Sequence, residues 1–288
     1  KLLAALLVIT AVLLVTMVGG SYLFKQKPVE IKQVATTNEF FVAPPPNGSA
    51  SGNGSLENPW DLQTAVNQPA SVHPGDTIWL RGGTYPGNFI SNLTGTATAP
   101  LTVKQYLNEK VILRANSGQF VFRVSAPWGV YQGFEIMSGI TNRTIIRPDG
   151  VQAYSPNNKY INLVVHDANN GFGVGGGANN TEIYGSIVFN NGYQGEVMGE
   201  GHGFALKTRI NDNNENRYYR DNIIFNQYGW GPMAYGGEGK EGHYFEGNTI
   251  FNNNILASDS SAVNCFVGTC IQNFNIGGFE IAKRIIEI

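Results

Sequence analysis

A short phrase recurs four times in the second half of the chain. It reads Ile161-Asn-Leu-Val-Val-His-Asp, Ile183-Tyr-Gly-Ser-Ile-Val-Phe-Asn, Tyr219-Arg-Asp-Asn-Ile-Ile-Phe-Asn and Phe245-Glu-Gly-Asn-Thr-Ile-Phe-Asn. Aligned on their ends, the phrases put His166, Phe189, Phe225 and Phe251 in register. Each is followed by a polar residue: Asp167, Asn190, Asn226 and Asn252. The intervals are 23, 36 and 26 residues. Repeats of that length stack into arrays in which each unit buries its apolar face only against its neighbours. The phrases are short, rich in Ile, Val, Phe and Tyr, and bounded by Gly and Asn, so they read as strands. Short strands with Asn at equivalent corners predict an all-β chain, a single-stranded parallel β-helix. Stacked Asn side chains are expected to bond from coil to coil.

Composition agrees. Gly is raised at 36 residues, as turns with positive φ require, and charged residues are only 14%. Net charge is −2 with no Lys/Arg block, so nucleic acid has no electrostatic footprint here. A polyanionic polysaccharide stays open as a partner, because a local basic cleft can hide in a neutral total. A monomer is expected.

Residues 1–24 hold a run of more than twenty uncharged residues after Lys1, long enough to cross a bilayer. Gly19-Gly20-Ser21 could be cleaved, but no Ala-x-Ala is present. A signal anchor is favoured over a cleaved signal peptide, and either puts the rest outside the cytoplasm. No Met opens the chain, so residues before Lys1 are expected. Residues 25–39 read as a polar stalk and 40–288 as one β-helix domain. The ending Phe279-Glu-Ile-Ala-Lys-Arg-Ile-Ile-Glu-Ile is neither a finished coil nor a clear cap, so continuation beyond it is expected. Asn58-Pro59 predicts the start of a small helix over 59–68 that caps the open end of the solenoid. Cys265 and Cys270 could close a loop or stay free thiols; two cysteines make at most half a zinc site.

The segment Phe40 to Phe89 resembles the N-terminal region of right-handed parallel β-helix proteins of the pectate-lyase-like superfamily. The residues that carry it are Phe41-Val-Ala-Pro, Asn47-Gly-Ser, Gly54-Ser-Leu-Glu-Asn-Pro-Trp, Gly75-Asp-Thr-Ile-Trp-Leu-Arg-Gly-Gly-Thr-Tyr and Asn88-Phe. The Asn-rich coils after Asn157 resemble the same proteins. The resemblance implies a right-handed helix and a carbohydrate-active protein. It does not choose among lyases, hydrolases, epimerases and adhesins, which share the scaffold.

The richest polar constellation is an insertion between repeats, Glu196-Val-Met-Gly-Glu-Gly-His-Gly-Phe-Ala-Leu-Lys-Thr-Arg-Ile-Asn-Asp, which accounts for the interval of 36. Strand alternation puts Phe204 and Leu206 on one face, with Ala205, Lys207 and Arg209 on the other. Such a set suits β-elimination on a uronic-acid polysaccharide. A base must take the proton α to a carboxylate, and that proton is weakly acidic until the carboxylate is neutralised. Lys can be the base where adjacent cations lower its pKa. Lys207 is therefore the expected base, Arg209 the carboxylate clamp, and His202 a proton donor or orienter. Neutralisation can also come from Ca²⁺ held by carboxylates, as the resemblance implies, with Glu196, Glu200, Asp212 and Asp221 as candidate ligands. Trp230, Tyr228 and Tyr235 could stack on sugar rings. On a plainer reading, both cations are simply solvated on a coil face. A glycoside hydrolase built on carboxylate pairs from the same four acids also fits the sequence. So does a non-catalytic glycan-binding or structural surface protein. His166 and Asp167 are expected to be structural.

Overall fold

The computed structural model describes residues 37–194, 199–208, 216–236, 242–253, 282–283 and 286–287. The apolar run of residues 1–24, most of the expected stalk, and Cys265 and Cys270 lie outside them. Among the described residues no helix is long and apolar enough to cross a membrane. Thr37–Ile288 form one compact unit. Its first strand begins at Glu39, and the Asn38 amide already donates to Asp76 Oδ1 at 2.7 Å, slightly ahead of residue 40.

The chain winds repeatedly through three parallel sheets: sheet 1 of nine strands, sheet 2 of eight and sheet 3 of six. One coil shows the order: Lys159–Ile161 in sheet 1, Val164–His166 in sheet 2, Phe172–Val174 in sheet 3. This is the parallel β-helix that the repeats predict. The aligned repeat positions are true register partners: His166 pairs with Phe189, Phe189 with Phe225, and Phe225 with Phe251. Their rings stack on the outer face of sheet 2 with centroids 4.7, 5.3 and 5.1 Å apart. The residue before each, Val165, Val188, Ile224 or Ile250, is fully buried in the core. Alternation thus sets one apolar row inward and one aromatic row outward.

The corner asparagines do a different job from the one expected of them. Asp167, Asn190, Asn226 and Asn252 all have φ between 50° and 56°, the left-handed turn that Asn and Asp tolerate. Two buried ladders run beside the left-handed turns, one after Gly185, Asp221 and Gly247 and one after Asn190, Asn226 and Asn252. In one, Ser186 Oγ accepts from Leu163 N, Asn222 Oδ1 from Ser186 N, and Asn248 Oδ1 from Asn222 N, at 3.2, 2.9 and 3.0 Å. In the other, Asn191, Gln227 and Asn253 accept from Ala168, Asn191 and Gln227 amides at 3.0, 3.0 and 3.2 Å. The three serine and asparagine carriers of the first ladder are fully buried, as are those of the second. They satisfy turn amides that water cannot reach.

At the N-terminal end the helix is Leu62–Val66, shorter than predicted. Asp61 is its cap, with Oδ1 accepting from Thr64 N at 2.8 Å. Asn58 and Pro59 stay outside it because Trp60 is used elsewhere: it bridges to Val42 and stacks on Phe40 at 5.1 Å. Leu62, Ala65 and Val66 enter the core at the end of the coil stack, as a cap should.

Candidate functional site

The strand Phe204–Thr208 lies in sheet 3 between Phe172–Val174 and Pro232–Gly236. Phe204 and Leu206 are fully buried, so positions 205 and 207 fall on the outer face. Lys207 pairs in register with Tyr235, which brings these two candidates together. Arg209, Glu196 and Asp212 lie outside the described residues. Glu200 belongs to a short antiparallel pair, Tyr193–Gln194 with Gly199–Glu200, which forms part of the long interval.

His202 precedes that strand by two residues and stands roughly 16 Å from Lys207 along it, at about 3.3 Å per residue. His202 thus lies before the strand and Lys207 near its far end. His202 Nδ1 accepts from the Trp230 amide at 3.2 Å, and the two rings lie 5.4 Å apart. Its own amide donates to Asn170 Oδ1 at 3.0 Å. Burial pushes the imidazole down to about 4. At neutral pH it is uncharged, with the hydrogen on Nε2.

Tyr228 lies under the Arg143 guanidinium, 5.4 Å from the ring centre. Arg143 also donates to the Asn190 carbonyl at 2.7 Å and pairs with Asp167, and its own carbonyl accepts from Gln194 N at 2.7 Å. Arg147, 2% exposed, donates through Nη2 to the Gly192 carbonyl. Burial first, then the charge of Arg143, brings its guanidinium down to about 10. Both arginines tie the 139–148 loop to the base of the Tyr193–Glu200 hairpin.

Asp221 is exposed at the corner between sheets 1 and 2, with φ 52°, across the coil from sheet 3. It takes the left-handed turn there, as Asn162 does earlier in the stack. Among the described residues no three His, Cys, Asp or Glu side chains gather to hold a metal ion. Of the four carboxylates expected for Ca²⁺, Glu196 and Asp212 lie outside the described residues. His166 is stacked and hydrogen-bonded. Its Nδ1 meets Asp167 Oδ2 at 2.7 Å and its Nε2 meets Glu135 Oε1 at 3.1 Å. His243 is buried with Nδ1 3.0 Å from the Tyr219 hydroxyl.

Sequence reasoning missed a polar network on the outer face of sheet 3. Arg123 Nε donates to Gln152 Oε1 at 2.8 Å, and Gln152 Nε2 donates to Asp149 Oδ2 at 2.8 Å. Asp149 Oδ1 accepts from the Asn169 and Asn170 side chains at 3.0 and 2.9 Å and from the Asn170 amide at 3.1 Å. Tyr154, 46% exposed, lies beside it.

Comparison with known proteins fits this architecture. Residues 40–261 match the family model described as the Pel9A-like, right-handed β-helix region. A curated relative, pectate lyase PEL9 of Emericella nidulans, is 39% identical over 71 residues, 24% of this chain and 17% of that protein. Among solved structures, pectate lyase Pel9A superposes with a TM-score of 0.65 at 19% identity, over 88% of this chain and 63% of that one. A rhamnogalacturonan lyase gives 0.63 at 18% identity, over 75% and 57%. The chain thus spans less than two thirds of each of these proteins. The chain belongs to the Pel9A-like β-helix family, and its helix is right-handed.

Proposed function

We propose that this member of the Pel9A-like β-helix family is a polysaccharide lyase that cleaves a uronic-acid-containing chain by β-elimination, with Lys207 as the base. What supports the reading is the register pairing of Lys207 with Tyr235 in sheet 3, in a family whose relatives include pectate lyases.

The chemistry needs a neutral amine at Lys207. Its Nζ takes the proton from the carbon that bears the carboxylate. The bond from the neighbouring carbon to the glycosidic oxygen then breaks, a carbon–carbon double bond forms, and the leaving oxygen takes up a proton. Arg209, two residues on, neutralises the substrate carboxylate. His202, uncharged and fixed to the Trp230 amide, orients the turn leading into the strand Pro232–Gly236 and is not the charged acid. No step is routed through Ca²⁺. The apolar run of residues 1–24 serves as export signal or anchor, which puts the coils outside the cytoplasm.

The test is turnover of pectate, alginate and glycosaminoglycans by the full chain, with and without chelator, read as ultraviolet absorbance of unsaturated products. Lys207→Ala should lower the rate about 10²- to 10⁴-fold, the usual contribution of a general base. New reducing ends without a double bond would mean hydrolysis. Neither product from a folded chain would sink the enzyme reading and favour glycan binding or a structural role.

A further inference from the structure

The outer face of sheet 3 holds a fixed arginine that the catalytic reading does not use. Arg123 sits on the strand Phe120–Val124, between Phe122 and Val124, which point into the core. Its guanidinium carbon lies 4.1 Å from the centre of the Phe120 ring and 5.4 Å from that of Tyr154. Gln152, 5% exposed, holds its Nε, and Asp149 holds Gln152 in turn. The inner end of the side chain is fixed by one hydrogen bond and two rings. Its Nη1 and Nη2 groups meet no acceptor among the described residues, and no described carboxylate lies within ion-pair reach. A guanidinium fork held in this way is organised in advance for a planar carboxylate.

Its surroundings suit a sugar ring. Tyr154 is 46% exposed and its ring lies over Gly175, where an added Cβ would come within 2.7 Å of Cδ1. Gly173, the register partner of Gln152, is bare: an added Cβ would meet nothing nearer than Asp149 Oδ2 at 3.7 Å. A shallow floor is left beside the aromatic face. The strands of Arg123 and Lys207 are three steps apart in sheet 3, roughly 14 Å at about 4.8 Å per step.

We infer that Arg123 and Tyr154 form a sugar subsite remote from the base, in which Tyr154 stacks on one uronate residue and Arg123 Nη1 and Nη2 grip its carboxylate. The polymer then runs across the strands, along the coil stack, from Arg123 over Gly173 to Lys207. This rests on the lyase reading for the identity of the ligand as a uronate polymer.

The test measures binding of a galacturonate hexamer and its carboxyl-reduced counterpart by calorimetry, using the full chain with Lys207→Ala to stop turnover. Arg123→Met keeps the stem between its two rings and removes the fork. It should weaken the acidic hexamer about tenfold or more, the scale of a bidentate charged contact, and leave the reduced hexamer unchanged. Tyr154→Ala should weaken both. Gly173→Leu, whose Cβ fits, fills the floor and should also weaken both, so it tests the subsite even if Arg123→Met misfolds. Equal effects of Arg123→Met on the two hexamers, or none on either, would overturn the subsite. So would Gly173→Leu without effect, or a chain that binds neither hexamer. The two readings fail separately. Turnover with an unchanged KM in Arg123→Met keeps the lyase and removes the subsite. Charge-selective binding through Arg123 without any unsaturated product does the reverse.

Discussion

The buried ladders and the corner turns use the same residue type, and substitution should separate them sharply. Asn222 is fully buried. Its Oδ1 accepts from Ser186 N at 2.9 Å, and its Nδ2 donates to the Ile183 carbonyl at 3.0 Å and to Asn248 Oδ1 at 2.9 Å. Asn222→Ala strands the Ser186 amide; the Ile183 carbonyl stays in the parallel ladder with the strand Arg217–Arg220, and Asn248 Oδ1 still receives the backbone amide of residue 222. One buried amide left unsatisfied costs about 1–3 kcal/mol, and that is the expected loss. That is a large share of an ordinary stability of about 5–15 kcal/mol. Asn222→Ser should lie between, because Ser186 already fills the same ladder position with Oγ 3.2 Å from Leu163 N. Asn226 is the control. It sits at φ 54°, and its side chain makes no coil-to-coil bond among the described residues. Asn226→Gly keeps the turn, relieving a left-handed strain of about 1–2 kcal/mol while adding back roughly 0.5–1 kcal/mol of backbone entropy. It should change stability by no more than about 1 kcal/mol. Urea unfolding followed by tryptophan fluorescence gives the totals, and hydrogen exchange at Ser186 locates the loss. In a solenoid the damage should stay in the coils next to residue 222. If Asn226→Gly costs as much as Asn222→Ala, or Asn222→Ala costs under about 0.5 kcal/mol, the assignment of the two roles is refuted.

Three further outcomes follow from the titrating groups and from the aromatic face. Burial alone would lower the His166 imidazole, but its bonds to Asp167 and Glu135 outweigh burial and raise it above its ordinary value. The stability it contributes is therefore complete below the unfolded value and fades as pH rises through the raised one. His166→Gln should flatten that alkaline-side decline in Tm above about pH 6.5. His243 behaves in the opposite sense, because burial, with a smaller push from Arg217, takes it down to about 3. The unfolded chain binds a proton there before the folded one does, so stability falls as pH drops below about 6.5, and His243→Phe should remove part of that fall in Tm. Gly175→Ala pushes a Cβ into the Tyr154 ring at a position without positive φ, so it should raise KM for a uronate polymer several-fold while Tm stays within a few degrees; an unchanged KM would remove Tyr154 from the substrate face.

Inward positions in such a coil are set by their immediate neighbours, which is why the repeats could be read directly. Val165, Val188, Ile224 and Ile250 precede the aromatic row at a constant offset, and that offset placed the strands in their true register. The inward positions Phe204 and Leu206 were readable for the same local reason. Where two residues of one type stand side by side, as Asn190 and Asn191 do, only backbone angle and burial decide which turns the corner and which ladders. Arg123, Gln152 and Tyr154 were missed because an outer column is non-local: Arg123 and Gln152 bond across 29 residues, and each strand shows only one outward residue of the pair. A signal was nevertheless present. The windows Val151-Gln-Ala-Tyr154, Phe172-Gly-Val-Gly175, Phe204-Ala-Leu-Lys207 and Pro232-Met-Ala-Tyr235 carry one pattern, with small or aliphatic third residues between two outward ones. The observed pairings Ala153 with Val174, Val174 with Leu206, and Leu206 with Ala234 align those windows. Once they are aligned, the first outward column reads Gln152, Gly173, Ala205, Met233 and the second Tyr154, Gly175, Lys207, Tyr235. Position 207 thus aligns with two tyrosines, and Gly175 is where the ring of the first comes close.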